Sequence, residues 1–214
     1  MSEAVNERQS VVVAAFDFDG TLTWRDTLLP FLHRLLGTPT LLWVLFLCSP
    51  WLVAYALHLT SNHRAKAVLL QAALAGRTQA EVQRCAQAFV REYLPLQWRP
   101  WALRQLVQHQ RAGHRCIIVS ASTSLYMHLV GESLGVDAVL CTEMEVADGR
   151  YTGRMATANC HGEEKVRRLQ AWLATRYGDD TAAPELHAYG DTRGDLPLLR
   201  LAGTAWYREK PWRA

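Results

Sequence analysis

The sequence predicts an α/β fold, a parallel sheet wound with helices on both faces, and three observations predict it. Val11-Val12-Val13-Ala14-Ala15-Phe16 is a continuous apolar run, as a strand buried on both faces requires. Shorter runs of the same kind at 115–119, 138–141, 186–190 and 204–206 alternate with segments of helical periodicity. Three of these runs end abruptly in polar residues: Asp17 and Asp19 after the first, Ser120 after the second, Asp191 and Asp195 after the fourth. In an open α/β sheet ligands bind at the carboxyl ends of the strands, so the three clusters are expected to meet.

Taken in order, residues 1–10 are polar with mixed charge and no apolar core, so no signal peptide is expected. After the first strand, Asp26-Thr27-Leu28-Leu29-Pro30 opens a helix that stops near Gly37, with Asp26 placed as its N-cap or facing the site. From Leu35 to His63 there is no Asp, Glu, Lys or Arg. By length this stretch qualifies as a membrane span. Ser49-Pro50 at its middle and the site residues beyond position 115 argue against a crossing, which would put the halves of one site on opposite sides of a bilayer. The expectation is a pair of helices of about ten residues, each about 15 Å long. They are read first as packed in a helical cap and alternatively as peripheral membrane contact through 39–60.

A helix over 62–75 ends at Gly76, Thr78-Gln79-Ala80-Glu81 reads as a capping box, and Pro95 and Pro100 mark the return to the sheet. Residues 27–97 thus form an all-helical insertion in a core made of 1–26 and 98–214. Past the strand at 115–119, Ser120-Ala121-Ser122-Thr123-Ser124 reads as a turn into a helix ending at Gly135, Asp148-Gly149 as a hairpin turn, and 162–177 as a helix carrying Lys165 near its start.

The net charge of +3 is too mild for nucleic-acid binding, although 64–115 holds nine Lys/Arg against Glu81 and Glu92. Five cysteines without CxxC spacing give neither a disulfide framework nor a zinc site, and a reducing, cytoplasmic setting is expected, with contact at the inner membrane face if 39–60 meets lipid.

The polar strand ends suit phosphoryl transfer. Asp17 can attack phosphorus as a carboxylate nucleophile, and Asp19 can protonate the leaving alkoxide and later deprotonate water. Asp17, Asp19 and Asp191 supply hard oxygen donors for Mg²⁺. Ser120 and the following amide of Ala121 can cradle phosphate oxygens, and Lys165 supplies a fixed positive charge. Taken singly, Ser120 and Asp195 read equally as helix caps and Lys165 as a solvated lysine.

Asp17-Phe18-Asp19-Gly20-Thr21, Ser120, Lys165 and Gly190-Asp191-Thr192-Arg193-Gly194-Asp195, in that order, resemble the four motifs of the haloacid dehalogenase superfamily. The helical insertion after the first motif resembles its phosphoserine-phosphatase-like branch. The resemblance implies a Rossmann-like doubly wound sheet with a small helical cap and a Mg²⁺-dependent phosphatase working through an aspartyl-phosphate. It also implies Asp17 as nucleophile and metal ligand, Asp19 as acid/base binding metal through its carbonyl, and Ser120 and Lys165 on phosphate. Asp191 is then a metal ligand, with Asp195 supporting it directly or through water. Where phosphoserine phosphatases carry a glutamate this chain has Asp26, and Arg64 is the nearest basic candidate for a substrate carboxylate. The leading substrate is a small soluble phosphomonoester. The alternative is a lipid phosphate, because 41–59 looks like the corresponding stretch of a bacterial phosphatidylglycerophosphate phosphatase. A non-catalytic phosphate binder would lack the nucleophile or the acid/base, and both are present.

Overall fold

The computed structural model describes residues 11–178 and 184–213. The polar stretch 1–10 lies outside them. A six-stranded sheet runs β3-β2-β1-β6-β7-β8, formed by Val12–Phe16 (β1), Arg115–Thr123 (β2), Ala138–Thr142 (β3), Glu185–Gly190 (β6), Thr204–Tyr207 (β7) and Lys210–Trp212 (β8). All neighbours pair in parallel except β7 and β8. The chain moves outward from β1 through β2 to β3 and then returns to β1's other side as β6, which puts the switch point beside β1.

Period two divides the apolar strand residues between two cores. Ala14, Phe16, Cys116, Ile118 and Tyr189 face one core, which continues without a break into the helices between β1 and β2. Val13, Ala15, Ile117, Val119, Leu186 and Ala188 face the other, closed by Glu163–Tyr177 (α7) and Leu196–Leu201 (α8).

Between β1 and β2 the chain forms Leu28–Leu36 (α1), Thr38–Ala56 (α2), Asn62–Leu74 (α3) and Gln79–Ala88 (α4). Short turns over Phe89–Tyr93 and Leu94–Leu96 then lead into Pro100–Arg111 (α5). It leaves and returns at neighbouring points: Trp24 N donates to Gln97 O at 2.9 Å and Arg99 N to Leu22 O at 2.8 Å. Ser124–Leu134 (α6) follows β2. The hairpin of Met144–Ala147 (β4) and Arg150–Met155 (β5) leans on α3 rather than on the main sheet. A Cβ at Gly153 would stand 2.6 Å from Gln71 Cα, and its φ is +81°. Gly153→Ala is therefore expected to cost roughly 2 kcal/mol or more, because both the backbone conformation and the close approach need glycine. Urea unfolding of the two proteins checks this.

Several expectations change. The apolar stretch is one helix, not two, although Pro50 sits inside it. Proline removes the bond to the carbonyl four residues back, and the Ser49 hydroxyl donates to that Phe46 carbonyl at 2.7 Å, so the helix continues. Ser120 to Thr123 is not a turn: β2 runs through it, with a register shift between Val119 and Thr123 that re-aims the side chains. The capping box at Thr78 is half made, since Thr78 accepts from Glu81 N at 3.2 Å while Glu81 pairs with Arg77. Strand β8 was not foreseen: its hairpin turns on Arg208 and Glu209 at positive φ, residues that give no turn signal.

Candidate active site

Asp17 follows β1 directly, and its N–H donates to Tyr189 O at 2.9 Å, extending the β1–β6 ladder by one bond. Beyond it the chain folds back over the Phe18 carbonyl, which accepts from the N–H groups of Thr21, Leu22 and Thr23 at 2.9–3.2 Å. Gly20 makes this turn possible, with φ +81° and a would-be Cβ 2.3 Å from an Asp191 oxygen.

That turn brings Asp17 and Asp191 together. The Thr21 hydroxyl lies 3.2 Å from both Asp17 Oδ2 and Asp191 Oδ1, and it has one proton for the two acceptors. Lys165, only 2% exposed, donates to Asp17 Oδ1 and Asp195 Oδ1, each at 2.6 Å. Asp195 Oδ2 accepts from Asp191 N (3.2 Å), Thr192 N (2.9 Å) and the Thr192 hydroxyl (2.8 Å). Asp195 thus holds the loop after β6 and the lysine in place, and its side chain does not cap α8. Lys165 is no solvated lysine, and Ser120 is not a helix cap: Ser120 Oγ accepts from Ser122 N at 3.1 Å within the strand.

The Asp19 carboxylate turns away from Asp17. Its Oδ1 accepts from Thr27 N at 2.8 Å and the Thr27 hydroxyl at 2.6 Å, and the Ser122 hydroxyl donates to its Oδ2. Asp26 Oδ1 accepts from Leu28 N at 3.0 Å, while Thr27 holds the N-cap position.

Burial governs the charges. It pushes the Asp17 carboxyl up to about 8 against the opposing pull of Lys165. Burial, then the charge of Asp26, raises Asp19 to about 6. Burial opposes the charge on Lys165, but Asp17 and Asp195 outweigh it and hold the ammonium above the ordinary lysine range. Asp17, Asp191 and Asp195 each bring a carboxylate oxygen within 4.8 Å of the others. Asp17 and Asp195 share Lys165, and Asp17 and Asp191 share the Thr21 hydroxyl, so the three carboxylates form an all-oxygen donor set that fits a hard divalent cation.

Asp17 and Asp195 floor a cavity of 630 Å³ that Asp19, Asp26, Ser120, Ala121 and Lys165 also line, while Asp191 does not line it and meets Asp17 through the Thr21 hydroxyl. Sequence reasoning missed Lys66, which lines it too and donates to Ala121 O and, at 3.3 Å, to Asn159 Oδ1. Arg64, the basic residue singled out from the sequence, is exposed and does not line the cavity. The signal was there: Asn62, Lys66 and Leu69 recur at i, i+4, i+7 and share the helix face that lines the cavity. The upper wall is apolar, with Leu28 and Leu29 from α1 and Leu45 and Leu52 from α2.

The family profile of the haloacid dehalogenase-like hydrolases matches residues 14–200, and the chain belongs to that family. It is 34% identical over 198 residues to the protein CicA of Caulobacter vibrioides, covering 92% of this chain and 86% of that one. A histidinol-phosphatase of Neisseria meningitidis is 33% identical over 132 residues, 61% of this chain and 59% of that one. Among solved structures, a Bordetella pertussis protein of unknown function superposes with a TM-score of 0.80 at 26% identity, covering 92% of this chain and 89% of that one. A substrate-bound phosphoserine phosphatase shares the fold, with a TM-score of 0.63 at 16% identity, over 93% of this chain and 86% of that one.

Proposed function

We propose that this hydrolase is a Mg²⁺-dependent phosphatase that cleaves phosphomonoesters through an aspartyl-phosphate on Asp17. The observation that carries the reading is that Asp17 and Lys165, which line the cavity, meet Asp191 at the switch point of the sheet, Asp191 joining Asp17 through the Thr21 hydroxyl. The names of related phosphatases support it. In this reading the helices within 27–97 act as a cap that excludes bulk water and selects the leaving group.

Lys165 and the Ser120 hydroxyl, with the amide of Ala121, bind and orient the phosphate oxygens. The Asp17 carboxylate attacks phosphorus, and Asp19 gives its proton to the departing oxygen. Asp19 then takes a proton from the water that displaces Asp17. Its bonds to Thr27 and Ser122 hold it on the leaving-group side of the cavity, apart from the acidic cluster. Asp17, Asp191 and the main-chain carbonyl of Asp19 would hold Mg²⁺, with Asp195 supporting that set through Lys165 and the β6 loop. When bound, the ion offsets the charge that the phosphate adds to these carboxylates.

The leucine wall favours a leaving group with an apolar part over the polar one of phosphoserine. The test is release of inorganic phosphate from a panel that includes phosphoserine, histidinol phosphate, sugar phosphates and phosphatidylglycerophosphate, with Mg²⁺ or EDTA. Turnover that EDTA abolishes and Mg²⁺ restores is expected. Turnover indifferent to EDTA contradicts the metal assignment.

A second prediction concerns pH. The first step needs Asp19 protonated, so kcat/KM falls as pH rises through its pKa. The negative charge of Asp26 raises that pKa. Asp26→Asn is therefore expected to move the basic limb of the kcat/KM profile to lower pH, by roughly half a unit, relative to wild type on the same substrate. A limb that stays in place or moves upward refutes the role given to Asp19.

A further inference from the structure

Helix α2 breaks the usual relation between hydropathy and burial. Over its 19 residues it is long and apolar enough to cross a membrane, yet only 17% of its apolar window is buried. Leu41, Val44 and Cys48 alone among its residues are buried against the core. Leu42 (61%), Trp43 (60%) and Phe46 (66%) stand in solvent, and Leu59 in the following loop is 77% exposed. A soluble surface rarely leaves so continuous an apolar strip uncovered.

We propose that the exposed face of α2 docks in the plane of an anionic lipid bilayer and seats the cavity mouth on that surface, so that an amphiphilic phosphomonoester enters it from the lipid. The substrate part of this inference rests on the phosphatase reading above. Three observations select a bilayer as the occupant. The first is charge. From Thr27 to Ala80 the chain carries no Asp or Glu, and of its four Lys and Arg residues Arg34 pairs with Glu92, Arg77 with Glu81 and Lys66 lines the cavity, which leaves Arg64. Arg64 is exposed just beyond the loop that ends α2, with no acidic residue of the segment beside it, and so matches an anionic headgroup.

The second is the chemistry of the strip. It presents leucines and a Trp43–Phe46 stack with ring centroids 5.6 Å apart, but no charged group to fix a register against a protein partner. The third is continuity with the site. Leu45, Leu52 and Tyr55 belong to α2 and line the cavity whose floor holds Asp17, so one helix offers an outer face to lipid and an inner face to substrate. A crossing is excluded by packing: α1 and α3 flank α2 and bury their apolar residues in the same core cluster, and Cys48 lies against the Val68 carbonyl of α3.

The test is flotation of the full-length protein with vesicles of phosphatidylcholine alone or mixed with phosphatidylglycerol. Turnover of p-nitrophenyl phosphate in solution and of phosphatidic acid in the same vesicles is measured in parallel. The triple variant Leu42→Ser, Trp43→Ser, Phe46→Ser changes only exposed side chains that do not line the cavity. Wild type is expected to float with the anionic vesicles and to release as salt rises, and the triple variant to lose partition roughly tenfold or more. Turnover of p-nitrophenyl phosphate is expected to be equal in the two proteins, with phosphatidic acid turnover falling in parallel with partition. Arg64→Glu is expected to weaken binding to anionic vesicles specifically. Wild type that fails to float, or a triple variant that floats equally, overturns the docking surface. A wild-type dimer that the triple variant dissociates, without vesicle partition, overturns it in favour of a second copy of this chain. Partition as expected with no turnover of either substrate sinks the phosphatase reading and leaves the docking surface standing. Turnover of p-nitrophenyl phosphate without turnover of phosphatidic acid overturns the substrate assignment.

Discussion

Asp17→Asn is expected to abolish turnover, by on the order of 10⁴-fold or more, while leaving the fold intact. The side chains are nearly isosteric, and the amide oxygen can still accept from Lys165 or from Thr21, both of which contact Asp17 in the wild type. What is lost is the anionic oxygen that would attack phosphorus. Burial makes this position costly for a charge, and the adjacent lysine offsets part of that cost. Phosphate release assayed beside circular dichroism checks the expectation. A folded variant retaining a tenth of wild-type activity would mean that the nucleophile lies elsewhere.

The second large effect falls on stability. Lys165→Met is expected to cost about 3–5 kcal/mol at neutral pH, because it strands two buried carboxylates that share one cation. The sign of the pH dependence follows. Lys165 has a raised folded pKa, so its contribution is complete below the unfolded lysine pKa and is lost only as pH rises through the folded value. At neutral pH the whole contribution is present. Burial raises both carboxyls and Lys165 pulls both down, holding Asp195 below its ordinary value and Asp17 only partly back; without the ammonium both titrate higher in the folded variant, which therefore gains protons as pH falls. The deficit relative to wild type is therefore widest near pH 8 and narrows toward pH 5. Urea unfolding of both proteins across that range reads it directly, and a deficit that stays constant or widens on acidification contradicts the pairing as described. Phosphate release should fall together with stability, since Lys165 also holds the nucleophile.

Much of this site was legible because polar residues closing apolar runs carry information that neither feature carries alone. Asp17 and Ser120 line one cavity and Asp191 meets Asp17 through Thr21, as the parallel order of β1, β2 and β6 places them, and Lys165 reaches the same cavity from α7. The sequence was less informative where a local rule was overridden by a tertiary partner. In an extended strand the period of two would set Asp17 and Asp19 side by side, yet β1 ends at Phe16 and the chain bends, so Thr27 and Ser122 draw the Asp19 carboxylate aside. Pro50 announced a break, and one hydroxyl from Ser49 made it unnecessary. Lys66 looked like any basic helical residue until α3 was oriented. Whether its amino group meets solvent or the cavity depends on the β5 contact at Gly153, which no local periodicity encodes.

The central claim is that phosphate passes through a covalent bond to Asp17. The most direct measurement is borohydride reduction during steady-state turnover, which converts an acyl phosphate on aspartate to homoserine, followed by mass spectrometric mapping of the peptide that contains Val11 to Thr23. The account predicts substrate-dependent reduction at Asp17 alone, absent with EDTA and absent in Asp17→Asn. Continued turnover with no reduced aspartate, or reduction at Asp19 or Asp191 instead, would contradict it.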